Sequence, residues 1–146
     1  MNFSKHRIPD IENNLKPDYS EIHIRDKTFE DILNECKLCV ERGNALTEKE
    51  VEDVIQKLEN YLLSHLACEE AVMKRSDYPG LEEHLSQHQV FKDKVRFFRQ
   101  ESHFSREALM TKIYQFSKKW FISHILQMDQ AFKNNHYCPE NLFNQW

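Results

Sequence analysis

Three pairs of metal-ligating side chains recur in the sequence at spacings typical of one face of a helix. In chain order they are HxxxE at His65 and Glu69, HxxxH at His84 and His88, and HxxxxD at His124 and Asp129. Residues four apart lie on the same side of an α-helix about one turn apart, which suits two ligands of one metal ion or of two adjacent ions. Imidazole and carboxylate groups are both common metal ligands.

Each pair interrupts an otherwise apolar helical stripe. The stripe around the first pair consists of Val51, Ile55, Leu58, Leu62, His65, Glu69 and Val72. A lone histidine on such a face is usually a hydrogen-bonded core residue, and ionisable side chains are rarely fully buried without a partner or a metal. Three pairs on three inward faces therefore favour a shared site. Four further histidines do not lie on such stripes: His6, His23, His103 and His136. His23 is a partial exception.

Long amphipathic segments predict that these stripes belong to four helices. Gly43 ends the first helix, and Thr47 with Glu50 forms a capping box that begins the second. The expected helices run from about Tyr19 to Arg42, from Thr47 to Arg75, from Leu81 to Gln100, and from just after Ser105 to near Asn135. Short connections predict an all-α, up-down-up-down antiparallel four-helix bundle. We expect an N-terminal arm over residues 1–18, the bundle over 19–138 and a C-terminal tail over 139–146.

Composition excludes several classes of partner. The net charge of -4, with both signs intermixed, gives no basic stripe for nucleic acid. The sequence contains neither a signal-peptide pattern nor an apolar run long enough to span a bilayer, so we expect a cytoplasmic protein without a membrane partner. The cysteines are expected to be reduced. Cys36 and Cys39 form a CxxC motif, but it falls inside a predicted helix and lacks the second cysteine pair that a zinc site would need, so we expect no metal site there.

Six nitrogen and oxygen donors on neighbouring helices, without a thiolate, predict a particular kind of metal site. A structural zinc ion would be closed by four ligands, whereas this set fits a non-haem di-iron centre in a bundle core. The carboxylates of Glu69 and Asp129 can each give one oxygen to either ion. Imidazoles would then complete the coordination of each ion.

The HxxxE pair, the segment "YPGLEEHLSQH" and the segment "WFISHILQMD" resemble the hemerythrin family over about Tyr19 to Phe132. The resemblance implies two iron ions (Fe2+/Fe3+) joined by an oxo or hydroxo bridge, with dioxygen binding at an open position of the second ion. It assigns one iron to His84, His88 and His124, the other iron to His65, and the bridging role to Glu69 and Asp129. It also implies an apolar dioxygen pocket lined by Phe29, Leu66, Trp120, Phe121 and Ile125.

The first helix departs from the family pattern. The family normally supplies a further histidine in a segment resembling "IDxxHKxLF", and alignment on Ile22 and Lys27 places Asp26 at that position. Asp26 is expected to bind the second iron after a small backbone shift, to hold a metal-bound water, or to leave the ligand role to His23. A shifted register and a site for one metal also remain open.

These alternatives lead to different functions. A binding protein for dioxygen, used in storage, delivery or sensing, is favoured by the histidine-rich ligands and the apolar pocket. An anionic oxygen ligand at Asp26 would stabilise ferric iron and predicts faster autoxidation. A di-iron oxidase or a peroxidase-like enzyme using bound peroxide is the alternative, and a bundle that binds metal structurally is the third. Dioxygen or peroxide is the expected partner, and a monomer is the simplest expected state.

Overall fold

The computed structural model describes residues 19–129 and 131–132, with side chains from Lys27 onward. Four antiparallel rods make up this part of the chain, and it contains no β-strand. The elements are α1 (Tyr19–Glu41), a 3-10 turn (Gly43–Ala45), α2 (Glu48–Tyr61), a first π segment (Leu62–Leu66), α3 (Ala67–Arg75), α4 (Leu81–Gln100), α5 (Arg106–Trp120) and a second π segment (Phe121–Asp129). The predicted all-α four-helix bundle is confirmed. The predicted arm, tail and final helix end lie outside the described residues and stay predictions.

The predicted capping signals begin and end the rods. Thr47 accepts a hydrogen bond from the Glu50 backbone N–H, and the Thr47 N–H donates to Glu50 Oε1 at 2.8 Å, which completes the capping box of α2. Ser105 caps α5 by accepting from the Ala108 N–H at 3.1 Å. Gly43 follows α1 with a φ of +58°, in the left-handed region that glycine tolerates.

Two π segments interrupt rods that the sequence predicted as regular helices. The second rod is continuous from Glu48 to Arg75, but over Leu62–Leu66 its backbone hydrogen bonds follow the i→i+5 pattern of a π-helix. A π-bulge of this kind is often found at a functional site. The first π segment contains His65, and the second contains His124 and Asp129. The hydrogen bonding of two rods is therefore irregular where three of the predicted ligands lie, whereas Glu69 lies in α3 and both His84 and His88 lie in α4.

Aromatic rings form much of the core that joins the four rods. The Tyr61 ring lies 4.7 Å from Phe29 and 5.4 Å from Phe91, and Phe91 lies 4.8 Å from Trp120, measured between ring centroids. A smaller apolar cluster at the other end of the predicted site consists of Val72, Met73 and Phe132, with Tyr78 and Leu81 packed against it. The polar cluster described below is therefore enclosed by apolar packing at both ends.

The buried stripe of α1 differs slightly from the predicted one. The four-three spacing predicts that the inward residues of this helix are Ile22, Asp26, Phe29, Leu33, Cys36 and Val40. Phe29 and Cys36 are buried as expected, but Leu33 and Val40 are half-buried, while Ile32 and Cys39 are buried instead. A strict four-three repeat drifts by about 20° per heptad relative to a straight α-helix, so the buried face moves around the rod along its length. The side chains of Ile22 and Asp26 lie outside those described.

Ion pairs on the surface connect neighbouring rods. Arg99 of α4 reaches both carboxylate oxygens of Glu59 on α2 at 2.9 Å, and Lys57 of α2 pairs with Glu35 of α1 at 2.5 Å. Pairs exposed to this degree each contribute about 0.2 to 1 kcal/mol, so burial of the core dominates the stability of the bundle. None of the helices in the described part of the chain is long and apolar enough to cross a membrane.

Candidate metal centre

The structure brings six of the predicted metal-binding side chains into one buried cluster. They come from the first π segment, α3, α4 and the second π segment, and each is at most 1% exposed: His65, Glu69, His84, His88, His124 and Asp129. Charged side chains are almost never buried to this extent unless they are paired or bound to a metal. The described chain therefore contains an enclosed site of nitrogen and oxygen donors.

Three imidazoles surround one oxygen of Glu69. Glu69 Oε1 lies 2.9 Å from His88 Nε2, 3.1 Å from His84 Nε2 and 3.6 Å from His124 Nε2. The Nε2 atoms of His84 and His124 are themselves only 3.1 Å apart. One ligand atom from each of these four residues lies within 4.8 Å of the others. A single cation among these atoms would have four suitable donors.

A second donor group lies on the other side of the same carboxylate. His65 Nε2 is 3.7 Å from Glu69 Oε2 and 3.9 Å from Asp129 Oδ2. The other oxygen of Asp129, Oδ1, lies 3.1 Å from the Nε2 atoms of both His84 and His124. Glu69 and Asp129 thus each direct one oxygen toward the imidazoles of α4 and the second π segment, and the other oxygen toward His65.

Two buried carboxylate oxygens support a cation on the His65 side. Glu69 Oε2 and Asp129 Oδ2 are buried, and neither makes a hydrogen bond with any residue in the described ranges. A buried carboxylate oxygen without a partner loses its hydration free energy without replacement. A bound cation would provide that replacement. The donor set, imidazole and carboxylate without thiolate, is compatible with non-haem iron.

Proton affinities show that the cluster stabilises positive charge. Burial would raise the pKa of Glu69, but the four surrounding imidazoles, those of His124, His65, His84 and His88, outweigh it and hold the pKa well below its usual range. Burial would likewise lower the pKa of His84, yet hydrogen bonds with Asp129 and Glu69 raise it to about 9. The same two carboxylates raise the pKa of His124 against burial. Metal ions would supply the positive charge that protons supply otherwise.

Two residues that were not predicted from the sequence contact the Nδ1 atoms of His88 and His124, which face away from the centre of the cluster. Glu70 Oε2 lies 2.7 Å from His88 Nδ1, and Gln87 Oε1 lies 3.2 Å from His124 Nδ1. An acceptor oxygen at Nδ1 places the proton there and leaves Nε2 to face the cluster. The only sequence signal for Glu70 is its place beside Glu69. Gln87 carries no local signal, because its contact depends on how α4 packs against the second π segment.

Most of the predicted pocket residues lie in the core around the cluster. The Trp120 ring stacks on His124 at 4.0 Å between centroids, and Tyr61, which was not predicted, stacks on His65 at 4.7 Å. Phe29 packs against that tyrosine. Of the predicted set, four residues are buried and the last is half-buried: Phe29, Leu66, Trp120, Ile125 and Phe121. Their role in holding dioxygen stays a prediction.

Asp26 and His23 lie in α1, but their side chains are outside those described. In the helical register, position 26 is one turn before Phe29, and α1 packs against both π segments. Binding of the second iron by Asp26, by a water that Asp26 holds, or by His23 therefore stays a prediction.

Comparison with known proteins agrees with this fold and cluster. The family model described as "Hemerythrin HHE cation binding domain" matches residues 19–134, and the chain therefore belongs to the hemerythrin family. The chain is also similar to a protein named bacteriohemerythrin from Stenotrophomonas maltophilia (strain R551-3), with 29% identity over 93 residues, or 64% of this chain. The match spans 60% of that relative's length. No solved structure gives a significant match.

Proposed function

We propose that this chain is a non-haem di-iron protein that binds dioxygen for storage, delivery or sensing. The observation that supports it best is the orientation of Glu69 and Asp129, each of which presents one oxygen to each donor group. His84, His88 and His124 would hold one iron, and His65 the other. The two carboxylates would bridge the ions together with an oxo or hydroxo group.

The surroundings of the cluster favour binding over further chemistry. When bound, the iron pair would supply the electrons that dioxygen accepts as it binds. The protein contributes an apolar enclosure, with the rings of Tyr61 and Trp120 stacked on His65 and His124. The Tyr61 hydroxyl accepts a hydrogen bond from Trp120 Nε1 at 3.4 Å. Exclusion of water from such a site limits side reactions of the bound molecule.

The sequence at position 26 affects how long the reduced form survives. With Asp26 as a ligand of the second iron, its anionic oxygen stabilises ferric iron more than a neutral imidazole does. The reduced protein should then autoxidise faster than a variant carrying histidine there. The substitution Asp26→His should slow the decay in air, whereas Glu41→His, at the exposed far end of the same helix, should leave it unchanged. Decay of Asp26→His that is unchanged or faster would contradict this role.

Rapid mixing of the reduced, iron-loaded protein with dioxygen distinguishes binding from catalysis. We expect a long-lived oxygenated spectrum that bleaches when dioxygen is removed under vacuum. Rapid conversion to the diferric form, with turnover of an added reductant or peroxide, would instead support an oxidase or peroxidase-like function. An absence of any spectral change after iron loading would support a structural metal site and exclude both.

A further inference from the structure

A groove with a cavity volume of about 650 Å³ lies between α4 and α5, outside the ligand cluster. Its aromatic residues include Phe98, Phe116 and Trp120, which belong to or pack against the core. Binding pockets for small organic molecules commonly have volumes of about 300 to 1,000 Å³ and mostly apolar walls. The groove meets both conditions.

The outer wall of the groove exposes large apolar side chains. Val90 is 55% exposed, Phe97 is 44% exposed and Phe104 is 39% exposed, and all three line the groove. Single exposed apolar residues are ordinary, but a contiguous apolar surface usually marks a contact with another molecule. The exposed surface here continues inward to the buried rings.

Every charged residue that lines the groove is a lysine. Lys94, Lys112 and Lys119 line it without any aspartate or glutamate, although the whole chain has a net charge of -4. None of the three forms an ion pair with a residue of the described segments. Lys94 Nζ instead lies 5.7 Å from the centre of the Phe97 ring, and Lys112 Nζ lies 5.0 Å from the centre of the Phe104 ring. The groove therefore combines apolar walls with cations that have no anionic partner among the described residues.

The inner wall of the groove touches the ligand cluster. Gln87 and Trp120 both line the groove, and both contact His124, through the 3.2 Å hydrogen-bond contact and the stacked ring described above. A molecule in the groove would thus lie one side chain away from a predicted iron ligand.

We propose that this groove binds an amphipathic organic carboxylate, with its apolar body against the aromatic walls and its carboxylate among the lysines. The lysines disfavour a cationic ligand, and a neutral one would leave their charges without a partner. The proposal goes beyond the proposed function and does not depend on it, because none of the groove-lining residues is a predicted metal ligand.

Calorimetric titration of the iron-loaded full chain tests the charge preference with three ligands that share one apolar tail. Decanoate should bind saturably at one site per chain, and decanol and decyltrimethylammonium should bind at least tenfold more weakly. Equal binding of the three compounds would overturn the proposal, because recognition would then not involve the lysines. The absence of saturable decanoate binding would overturn it as well.

Matched substitutions test the location. Val90→Glu places a carboxylate in the groove at an exposed position and should weaken decanoate binding at least tenfold, whereas Leu126→Glu, at a residue 51% exposed outside the groove, should not. The double substitution Lys94→Gln/Lys112→Gln should also weaken binding. Lys118→Gln is its control, because Lys118 lies near the Tyr114 ring but not in the groove.

Circular dichroism establishes that each variant is folded before it is titrated. Equal effects of Val90→Glu and Leu126→Glu would overturn the assigned location. Concentration-dependent dimerisation that Val90→Glu abolishes, together with no decanoate binding, would show that a second copy of the chain occupies the groove and would also overturn the proposal.

Discussion

At the scale of single residues, two imidazoles of the cluster differ in the acceptor that their Nδ1 atoms contact. His88 Nδ1 faces the carboxylate of Glu70 at 2.7 Å, whereas His124 Nδ1 faces the neutral amide oxygen of Gln87 at 3.2 Å. A charged acceptor makes a stronger hydrogen bond than a neutral one and increases the basicity of the ligand nitrogen. His88 should therefore be the better electron donor of the two.

Replacing Glu70 tests this difference. The substitution Glu70→Gln keeps an acceptor oxygen but removes the charge, and we expect iron to be lost to a competing chelator about 10-fold more readily. The reduction potential should rise at the same time, because ferric iron loses stabilisation. Glu83→Gln, at an exposed position of α4, serves as the control. Identical iron retention and potential in both variants would show that Glu70 has no positioning role.

The thiols of the Cys36–Cys39 pair should be unreactive in the folded protein. Burial, followed by the neighbouring Cys39, raises the pKa of Cys36 to about 12, and burial also raises the pKa of Cys39. Because the thiolate is the nucleophile, a raised pKa leaves little reactive form near pH 8. Iodoacetamide should label both cysteines only after unfolding in urea, as read by mass spectrometry. Rapid labelling of the native protein would contradict this and would reopen a redox role for the pair.

At the scale of elements, the sequence predicted the rods better than their internal geometry. The capping box at Thr47 and the apolar stripes are local signals, and they located the helices. The π segments were not predicted, although the five-residue separation of His124 and Asp129 was a signal for one. In a regular α-helix, residues five apart point about 140° apart. The wider i→i+5 turn of a π segment can bring them to the same side.

Other parts of the centre had no signal that could be read from the sequence. The contacts of Gln87 and Tyr61 with the histidines depend on how separate rods pack. Likewise, the groove exists because of the relative placement of α4 and α5, which periodicity along one helix does not encode. The predicted ligand residues could be selected from the sequence because polar residues on an apolar stripe stand out within each helix.

The capping box of α2 should contribute measurably to stability. Thr47→Ala removes the side chain that accepts from the Glu50 N–H and should lower the free energy of unfolding by about 1 kcal/mol. Urea unfolding of the full chain measures this loss, with Ser86→Ala at an exposed position of α4 as the control. Because the cap lies at the far end of α2 from the first π segment, the iron content should not change. An unfolding midpoint equal to that of Ser86→Ala would contradict the contribution of the cap.

At the scale of the whole molecule, the described side chains of the cluster link the second, third and fourth rods through buried ionisable groups. Glu69, His84 and Asp129 are fully buried and come from the second, third and fourth rods. A ligand that binds only the folded state stabilises it, so iron bound here should hold these rods together.

Removal of iron should therefore lower the melting temperature of the full chain. Scanning calorimetry of the iron-loaded and chelator-treated protein measures the difference, and we expect a decrease of several degrees. The variant Asp129→Asn, which weakens the site on both sides, should show a smaller difference between the two forms. Equal melting temperatures for the loaded and stripped wild-type protein would indicate that the cluster does not bind iron in the folded state.

Iron content, measured together with the absorption spectrum of the air-oxidised protein, decides whether the buried donors form a pair of iron sites. We predict two iron ions per chain and the near-ultraviolet bands of an oxo- or hydroxo-bridged ferric pair. A chain purified from iron-fed cells that carries one iron or none, or that lacks those bands when fully loaded, would contradict the proposed di-iron centre.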